Sequence, residues 1–284
     1  MLQSLANLFG LDPAESQVVE GGTFSKAELP NQDLCILNWN IAKQNHKLPL
    51  QQEFLKIFHQ QRPQLCFFQE ARLAWPEAYS LMSLPKESLE GSTEESKLTT
   101  GLGWYFTPNL IHRYQGYAAG VLTASTAPAL NSATLHSQYY EPFLQTRKLV
   151  LVTEYPIAQR QQTLWAINVH GINFVRSHKF QKQIHQIEQA IADHSGPLIL
   201  VGDFNTWRPK RMQILQTVIR RLGLQAVDFS LSYRSDLKRF MRSDPLDHIF
   251  YRGLTLQPHH AKVFGEMISS DHKPMVAKFD IIAS

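Results

Sequence analysis

Short, almost wholly apolar runs recur along this chain, and turn-forming residues separate them. Residues 34–41 (LCILNWNI), 64–70 (QLCFFQE) and 163–172 (TLWAINVHGI) lack the apolar–polar alternation of a strand with one exposed face. Such strands are typical of sheets that are covered on both faces. Helical spacing is found in fewer segments, such as 50–61 and 177–191. The pattern therefore predicts two sheets packed face to face with helices outside, an α/β sandwich rather than a simple βαβ winding.

The domain organisation follows from where this pattern begins. Residues 1–33 have little periodicity and hold five acidic residues against one basic residue, so we expect an N-terminal arm or extension. Residues 34–284 contain no linker and are predicted to form one domain. A hydrophobic content of 43% is sufficient for a sizeable core.

Several classes of protein are disfavoured. No apolar run approaches the roughly 20 residues that cross a bilayer, and the N-terminus has no basic leader, so we expect a cytoplasmic protein without an integral membrane segment. The two cysteines, Cys35 and Cys66, lie in strand-like runs and are predicted to be reduced core residues.

Positive charge is concentrated in one segment. Residues 206–242 hold nine basic residues against two acidic ones, whereas the whole chain has a net charge of +4. Such a segment could attract a phosphate-rich ligand, with Lys210 and Arg211 as substrate contacts. It could equally be the solvated face of a helix and a loop.

Polar residues stand at or near one end of many of the apolar runs. They are Asn40, Gln69-Glu70, His170 with Asn173, Asp203 with Asn205, Asp247-His248 and Asp271-His272. Each residue alone could be a turn former or a surface residue. Because strand ends converge in a sandwich, the six groups together are predicted to line one cleft.

The residue types restrict the chemistry of such a cleft. The sequence has no HExxH motif, no Cys–His metal spacing, no GxSxG elbow and no glycine-rich phosphate loop. Carboxylate and amide oxygens suit Mg²⁺ or Mn²⁺, and amide and imidazole groups suit phosphate oxygens. These are the components of a metal-assisted attack of water on phosphorus.

The ordered blocks LNWNI, FFQE, NVH, GDFN, LDHIF and SDHKP resemble the endonuclease/exonuclease/phosphatase superfamily, which includes deoxyribonuclease I, over about residues 34–281. WNIAKQ, NVHGINF and PLDHIFYRG are more similar to a bacterial YafD-like subfamily. The resemblance implies a four-layered α-β-β-α sandwich of two mixed sheets, as in deoxyribonuclease I. It also implies a divalent cofactor, Mg²⁺ or Mn²⁺.

The resemblance assigns the metal and the attacking water to four residues. Glu70 would be the main metal ligand, with Asn40 beside it. Asp203 would orient or deprotonate the water. Asp271 would either lie near the metal or tune the site.

The resemblance assigns the phosphoryl group to another four residues. Asn205 and His170 would hold its oxygens, while His272 would contact the phosphate and be held by Asp247.

Two positions depart from the exonuclease III-type branch. Ala42 stands where that branch tends to place an Asp, and a His rather than an Asn stands at 170. Both differences point away from abasic-site specificity and argue against a second metal site.

Three functions stay open at this point. A nuclease would use the basic segment, Trp207 and Phe240 to hold nucleic acid, with Asn173 near the substrate. An esterase of a phospholipid such as sphingomyelin, or of a small phosphoester, would keep the chemistry and change the substrate. A binding module on an inactive fold would have lost some of the polar positions. The sequence does not predict an oligomeric state.

Overall fold

A computed structural model of the chain describes residues 10–14, 17–74, 101–142, 145–241 and 243–282. The strands in these ranges are β1 (Leu11–Pro13), β2 (Val19–Gly22), β3 (Leu34–Asn40), β4 (Leu65–Ala74), β5 (Gly103–His112), β6 (Tyr117–Ser125), β7 (Asn131–Tyr140), β8 (Arg147–Pro156), β9 (Thr163–His170), β10 (Leu198–Asp203), β11 (Gln225–Ala226), β12 (Asp247–Arg252), β13 (Leu254–Leu256), β14 (Lys262–Val263) and β15 (Met275–Ile281). The α-helices in the same ranges are α1 (Leu48–Gln61), α2 (Ser177–Ile191), α3 (Pro209–Arg221) and the short α4 (Leu231–Arg234), and Arg113–Gln115 form a 3₁₀ helix.

The strands form two mixed sheets. The first has the order β1-β5-β6-β4-β3-β15-β13, with β14 added to β15 and β2 added to β5. The second has the order β11-β12-β10-β9-β8-β7. One pair in each sheet is parallel, β3 with β4 in the first and β9 with β10 in the second, and the other pairs are antiparallel.

The layers explain why the strands have no polar face. Ile36 and Phe67 of the first sheet and Leu151 and Val201 of the second belong to the core between the sheets. The opposite face of the first sheet packs against α1, and that of the second packs against α2 and α3. The predicted four-layered α-β-β-α sandwich is therefore confirmed.

The N-terminal segment covers one edge of the first sheet. β1 and β2 both pair with β5, and Leu29 is fully buried in the core beside Ile157. Residues 1–9 and 15–16 of this segment lie outside the described residues. The boundary of the arm at residue 33 stays a prediction. Across the described ranges, no helix is both long and apolar enough to span a bilayer.

The strand register brings polar residues of both sheets to one edge. Asp203 at the end of β10 lies between His170 of parallel β9 and Asp247 of antiparallel β12. In the first sheet, Asn40 at the end of β3 lies beside Gln69 of β4. Glu70 follows at an irregularity of β4 and has a positive φ of 53°. Because of this irregularity, the Glu70 side chain does not follow the alternation of side chains between the two faces of the sheet.

Candidate active site

Side chains from the two sheets meet around the carboxylate of Asp203. The amide Nδ2 of Asn40 donates a hydrogen bond to Asp203 Oδ2 at 3.0 Å, which joins β3 of one sheet to β10 of the other. His170 Nε2 lies 3.9 Å and His272 Nε2 lies 4.0 Å from the same oxygen. His170 Nε2 is also 3.8 Å from Glu70 Oε1. Residues from five of the six sequence blocks thus form one cluster, which Asp247 of the sixth joins through His272.

Glu70 is held in a cationic environment. The ammonium of Lys43 forms an ion pair with its carboxylate, and the backbone N–H of Lys43 donates to the Glu70 carbonyl at 2.8 Å. Burial alone would raise the pKa of Glu70, but the charge of Lys43, with a smaller contribution from Lys148, lowers it strongly. Glu70 is therefore ionised at neutral pH and can bind a cation.

Asp247 and His272 form a buried pair on the other side of Asp203. His272 Nδ1 and Asp247 Oδ2 are 2.7 Å apart. Burial would lower the pKa of His272, but Asp247, followed by Asp203 and Asp271, raises it to about 10. The imidazole is accordingly protonated at neutral pH, and its Nε2–H points toward the cluster.

The pKa of Asp203 is shifted in the opposite direction to that of Glu70. Burial is the largest influence and raises its pKa, with a further increase from Asp247; His272 opposes the shift. The backbone N–H of Asn205 donates to Asp203 Oδ1 at 2.9 Å and fixes the orientation of the carboxylate. A buried carboxylate whose pKa is raised toward neutrality is suited to accept a proton.

His170 is a neutral imidazole beside a lysine. Burial and then the charge of Lys148 lower its pKa well below the ordinary value. Lys148 Nζ lies 3.0 Å from His170 Nε2 and 3.5 Å from Glu141 Oε2.

The two predicted substrate-contacting asparagines are tied to the surrounding loops. Asn205 has a positive φ of 53°, and its Nδ2 donates to the Gly171 carbonyl at 3.0 Å. Asn173 Oδ1 accepts a hydrogen bond from Trp207 Nε1 at 2.8 Å. Both residues border the cluster, and their contact with a substrate stays a prediction.

Three predicted site residues lie apart from the cluster. Asp271 is exposed and pairs with Lys238 at 2.9 Å, which favours tuning of His272 over metal ligation. Lys210 is exposed on α3. Arg211 is fully buried, and its guanidinium donates to the carbonyls of Ile172, Asn205 and Val175. The expectation that Arg211 contacts the substrate is therefore corrected. Its guanidinium instead holds the backbone of the loops that carry site residues.

The donor atoms of the cluster suit a divalent ion. Candidate ligating atoms of Asp203, Asp247 and His272 lie within 4.8 Å of one another, and Asp247 Oδ1 is buried without a hydrogen-bond partner among the described residues. Because His272 is protonated and paired with Asp247, the carboxylate oxygens are the atoms of this group that could bind an ion. Glu70 adds an ionised carboxylate next to them. Because oxygen donors predominate, the group fits a hard cation such as Mg²⁺ or Mn²⁺.

Three charged residues of the site were not predicted from the sequence. Lys43 follows Asn40 in WNIAKQ, and Lys148 opens the run KLVLVTEY, where a lysine usually marks the surface. Glu141 is buried beside Lys148 and accepts a hydrogen bond from the Asn173 N–H at 2.7 Å. Lys43 and Lys148 stand beside apolar runs, whereas Glu141 follows the largely polar run NSATLHSQYY, so the sequence gives little indication of any of the three.

Comparisons of the sequence with known proteins find a family and close relatives. The model of the Endonuclease/Exonuclease/phosphatase family matches residues 37–272. The chain belongs to this family. UPF0294 protein VP2298 of Vibrio parahaemolyticus is 31% identical over 258 residues, which cover 90% of this chain and 81% of that protein. This relative, one of several UPF0294 proteins that match, confirms the YafD-like resemblance.

Solved structures show the same fold at low sequence identity. An endonuclease/exonuclease/phosphatase protein from Beutenbergia cavernae has a TM-score of 0.60 at 15% identity, covering 89% of this chain and 72% of that chain. D. rerio TDP2, solved with a single-strand DNA product, has a TM-score of 0.54 at 15% identity, covering 87% and 98% respectively. These likenesses establish the shared fold.

Proposed function

We propose that this protein is a divalent-metal-dependent phosphodiesterase that hydrolyses nucleic acid. The main support is the convergence of Glu70, Asp203 and protonated His272 from two different sheets within one cluster. An ionised carboxylate, a proton acceptor and a cationic donor are the groups that hydrolysis of a phosphoester requires.

Glu70 and Asn40 would hold the ion, Mg²⁺ or Mn²⁺, with the Asp203–Asp247–His272 group beside it. Lys43 can release Glu70 because its side chain is flexible and partly exposed. When bound, the ion would polarise a phosphoryl oxygen and offset the negative charge that develops on it.

Asp203 would accept a proton from the attacking water. Its carboxylate is oriented by the bonds from Asn40 and from the Asn205 backbone. As the new bond between the water oxygen and phosphorus forms, the water proton would pass to the ionised Asp203 carboxylate. The bond from phosphorus to the leaving oxygen breaks, and that oxygen leaves with the bonding electrons and takes a proton from solvent.

His272 would stabilise the phosphoryl group. Asp247 keeps its imidazole protonated and fixes Nδ1, so that Nε2–H can donate to a phosphoryl oxygen. Asn205 would add a further contact to the phosphoryl group, as the family resemblance implies. His170, which the resemblance also assigns to the phosphoryl group, would act through Lys148 beside it. In this arrangement each charged oxygen meets a positioned donor.

Nucleic acid is favoured as the substrate by an aromatic surface beside the cluster. The rings of Trp207 and Phe240 lie 5.8 Å apart, Phe240 is largely exposed, and the Arg208 guanidinium lies 4.4 Å from the Trp207 ring centroid. Aromatic rings and arginines in one groove can stack on bases and contact phosphates. D. rerio TDP2, which shares the fold, is bound to a DNA product.

A panel of phosphoesters tests this proposal. Single- and double-stranded DNA, RNA, sphingomyelin and phosphoinositides would be incubated with Mg²⁺ and the wild-type protein, with Asp203→Asn as the control. We expect Mg²⁺-dependent cleavage of a nucleic acid and its loss in the variant. Cleavage of lipids alone would favour the alternative esterase, and binding without turnover would favour the inactive module. A cytoplasmic location stays a prediction from the sequence.

A further inference from the structure

Lys148 is a nearly buried lysine whose ammonium lies beside the candidate active site. It stands near the start of β8, and its side chain is only 11% exposed. Removal of an ammonium group from water is unfavourable unless charged or polar partners compensate. A lysine in this position is therefore expected to have a ligand or a complete set of partners.

The partners of the Lys148 ammonium are incomplete. Nζ lies 3.0 Å from His170 Nε2 and 3.5 Å from Glu141 Oε2. The other oxygen of Glu141, Oε1, accepts the Asn173 N–H. An ammonium has three N–H donors. Within the described residues, these two side chains are the polar partners of Lys148, so one donor is left for another group.

The free donor lies next to the reaction site. His170 Nε2, which accepts from Lys148, is 3.8 Å from Glu70 Oε1 and 3.9 Å from Asp203 Oδ2. While Nε2 accepts a hydrogen bond from Lys148, it cannot donate one to a phosphoryl oxygen. On this side of the cluster, two lysines supply positive charge: Lys43, whose ammonium is paired with the Glu70 carboxylate, and Lys148, whose ammonium lies beside His170.

We propose that Lys148 binds a non-bridging oxygen of the phosphoryl group, with Glu141 as its counter-ion and His170 as the acceptor that orients the ammonium. The inference deepens the proposed function and rests on it for the identity of the bound group. Lys148 and His272 would then contact the phosphoryl group from opposite sides of Asp203.

Binding of inorganic phosphate tests the inference independently of turnover. Isothermal titration would compare the wild type with Lys148→Met, Lys148→Gln and Lys182→Met, in metal-free buffer and with Mg²⁺. Lys182 is an exposed lysine of α2 and serves as the matched control. Thermal unfolding would show which variants are folded, and either folded Lys148 variant is sufficient.

We expect phosphate affinity to fall by about 10- to 100-fold in both Lys148 variants, the loss expected for a hydrogen bond from a charged group. Lys182→Met should bind as the wild type does. Equal affinity in wild type and folded Lys148 variants, or no phosphate binding by the wild type, would overturn the inference. If phosphate binding depends on Lys148 but no phosphoester is cleaved, the proposed function fails and the phosphate site remains.

Discussion

Two carboxylates on opposite sides of the same cluster, Glu70 and Asp203, have pKa values that are shifted in opposite directions. The Glu70 side chain is 26% exposed and paired with Lys43, and its pKa is lowered. The Asp203 side chain is 4% exposed and has Asp247 as a neighbour, and its pKa is raised. Nearby lysines favour the charged form, whereas burial beside another carboxylate disfavours it. Similar side chains can thus become an ion ligand and a proton acceptor within one site.

The largest expected effect on activity comes from replacement of Glu70, the proposed metal ligand near Lys43 and Lys148. Glu70→Gln should lower Mg²⁺-dependent hydrolysis by roughly 10³-fold or more, since a bound ion contributes several kcal/mol to the transition state. Substrate binding should change much less. Turnover of a generic diester at several Mg²⁺ concentrations checks this, and unchanged turnover would rule out Glu70 as the metal ligand.

Replacement of the buried Asp203 carboxylate by a neutral amide should slow the chemical step of the reaction. Asp203→Asn should lower kcat by roughly 10²-fold or more with little change in KM, because general-base catalysis is lost while the substrate contacts remain. Steady-state kinetics separates the two constants. Equal losses in kcat and in substrate affinity would contradict its role as the base.

The buried histidine pair gives a prediction about pH. The pKa of His272 is raised in the folded protein from 6.5 to about 10, so its stabilising contribution is complete below pH 6.5 and is lost as the pH rises through about 10. Asp247→Asn should bring the pKa of His272 back toward its ordinary range and remove this dependence. NMR titration of the imidazole and thermal unfolding from pH 6 to 10 measure both. A pKa that does not move would show that Asp247 is not the cause.

The smallest effect is expected at the surface. Arg208→Met together with Lys210→Met should weaken nucleic-acid binding modestly and reduce the slope of log K against log[salt] by roughly 1 to 2, because two phosphate contacts are lost. Binding isotherms at several salt concentrations, with Lys56→Met on α1 as the control, test this. An unchanged slope would favour the phospholipid or small-phosphoester alternative.

The sequence was sufficient for the fold and for the residues that the site assembles at strand ends. Unbroken apolar runs indicated sheets covered on both faces, and the layers of the structure explain that pattern. The order of the polar blocks indicated the family, which the comparisons confirm. The roles of the individual site residues stay predictions.

The sequence was insufficient where a charged side chain points inward. From the sequence, Lys148 would be assigned to the surface, although its side chain is only 11% exposed. The hydrophobic pattern of a strand does not show which face is buried at the end of that strand. Arg211 was grouped with Lys210 as a surface cation, although it stands four residues before Leu215 and seven before Val218, which is the spacing of one helical face. All three are buried on the inner face of α3. The positive charge of Arg211 was misleading as an indication of surface exposure, whereas the helical spacing indicated burial.

In the proposed arrangement, Glu70 with its two lysines, Lys43 and Lys148, and the buried group Asp203, Asp247 and His272 would act on one ion and one phosphoryl group. Anomalous diffraction from crystals soaked with Mn²⁺ and inorganic phosphate would show whether they do. We expect a manganese peak at coordination distance from a Glu70 oxygen, with phosphate in contact with the ion, His272 and Lys148. A manganese ion bound on another face of the molecule, or phosphate separated from Asp203, would contradict the account.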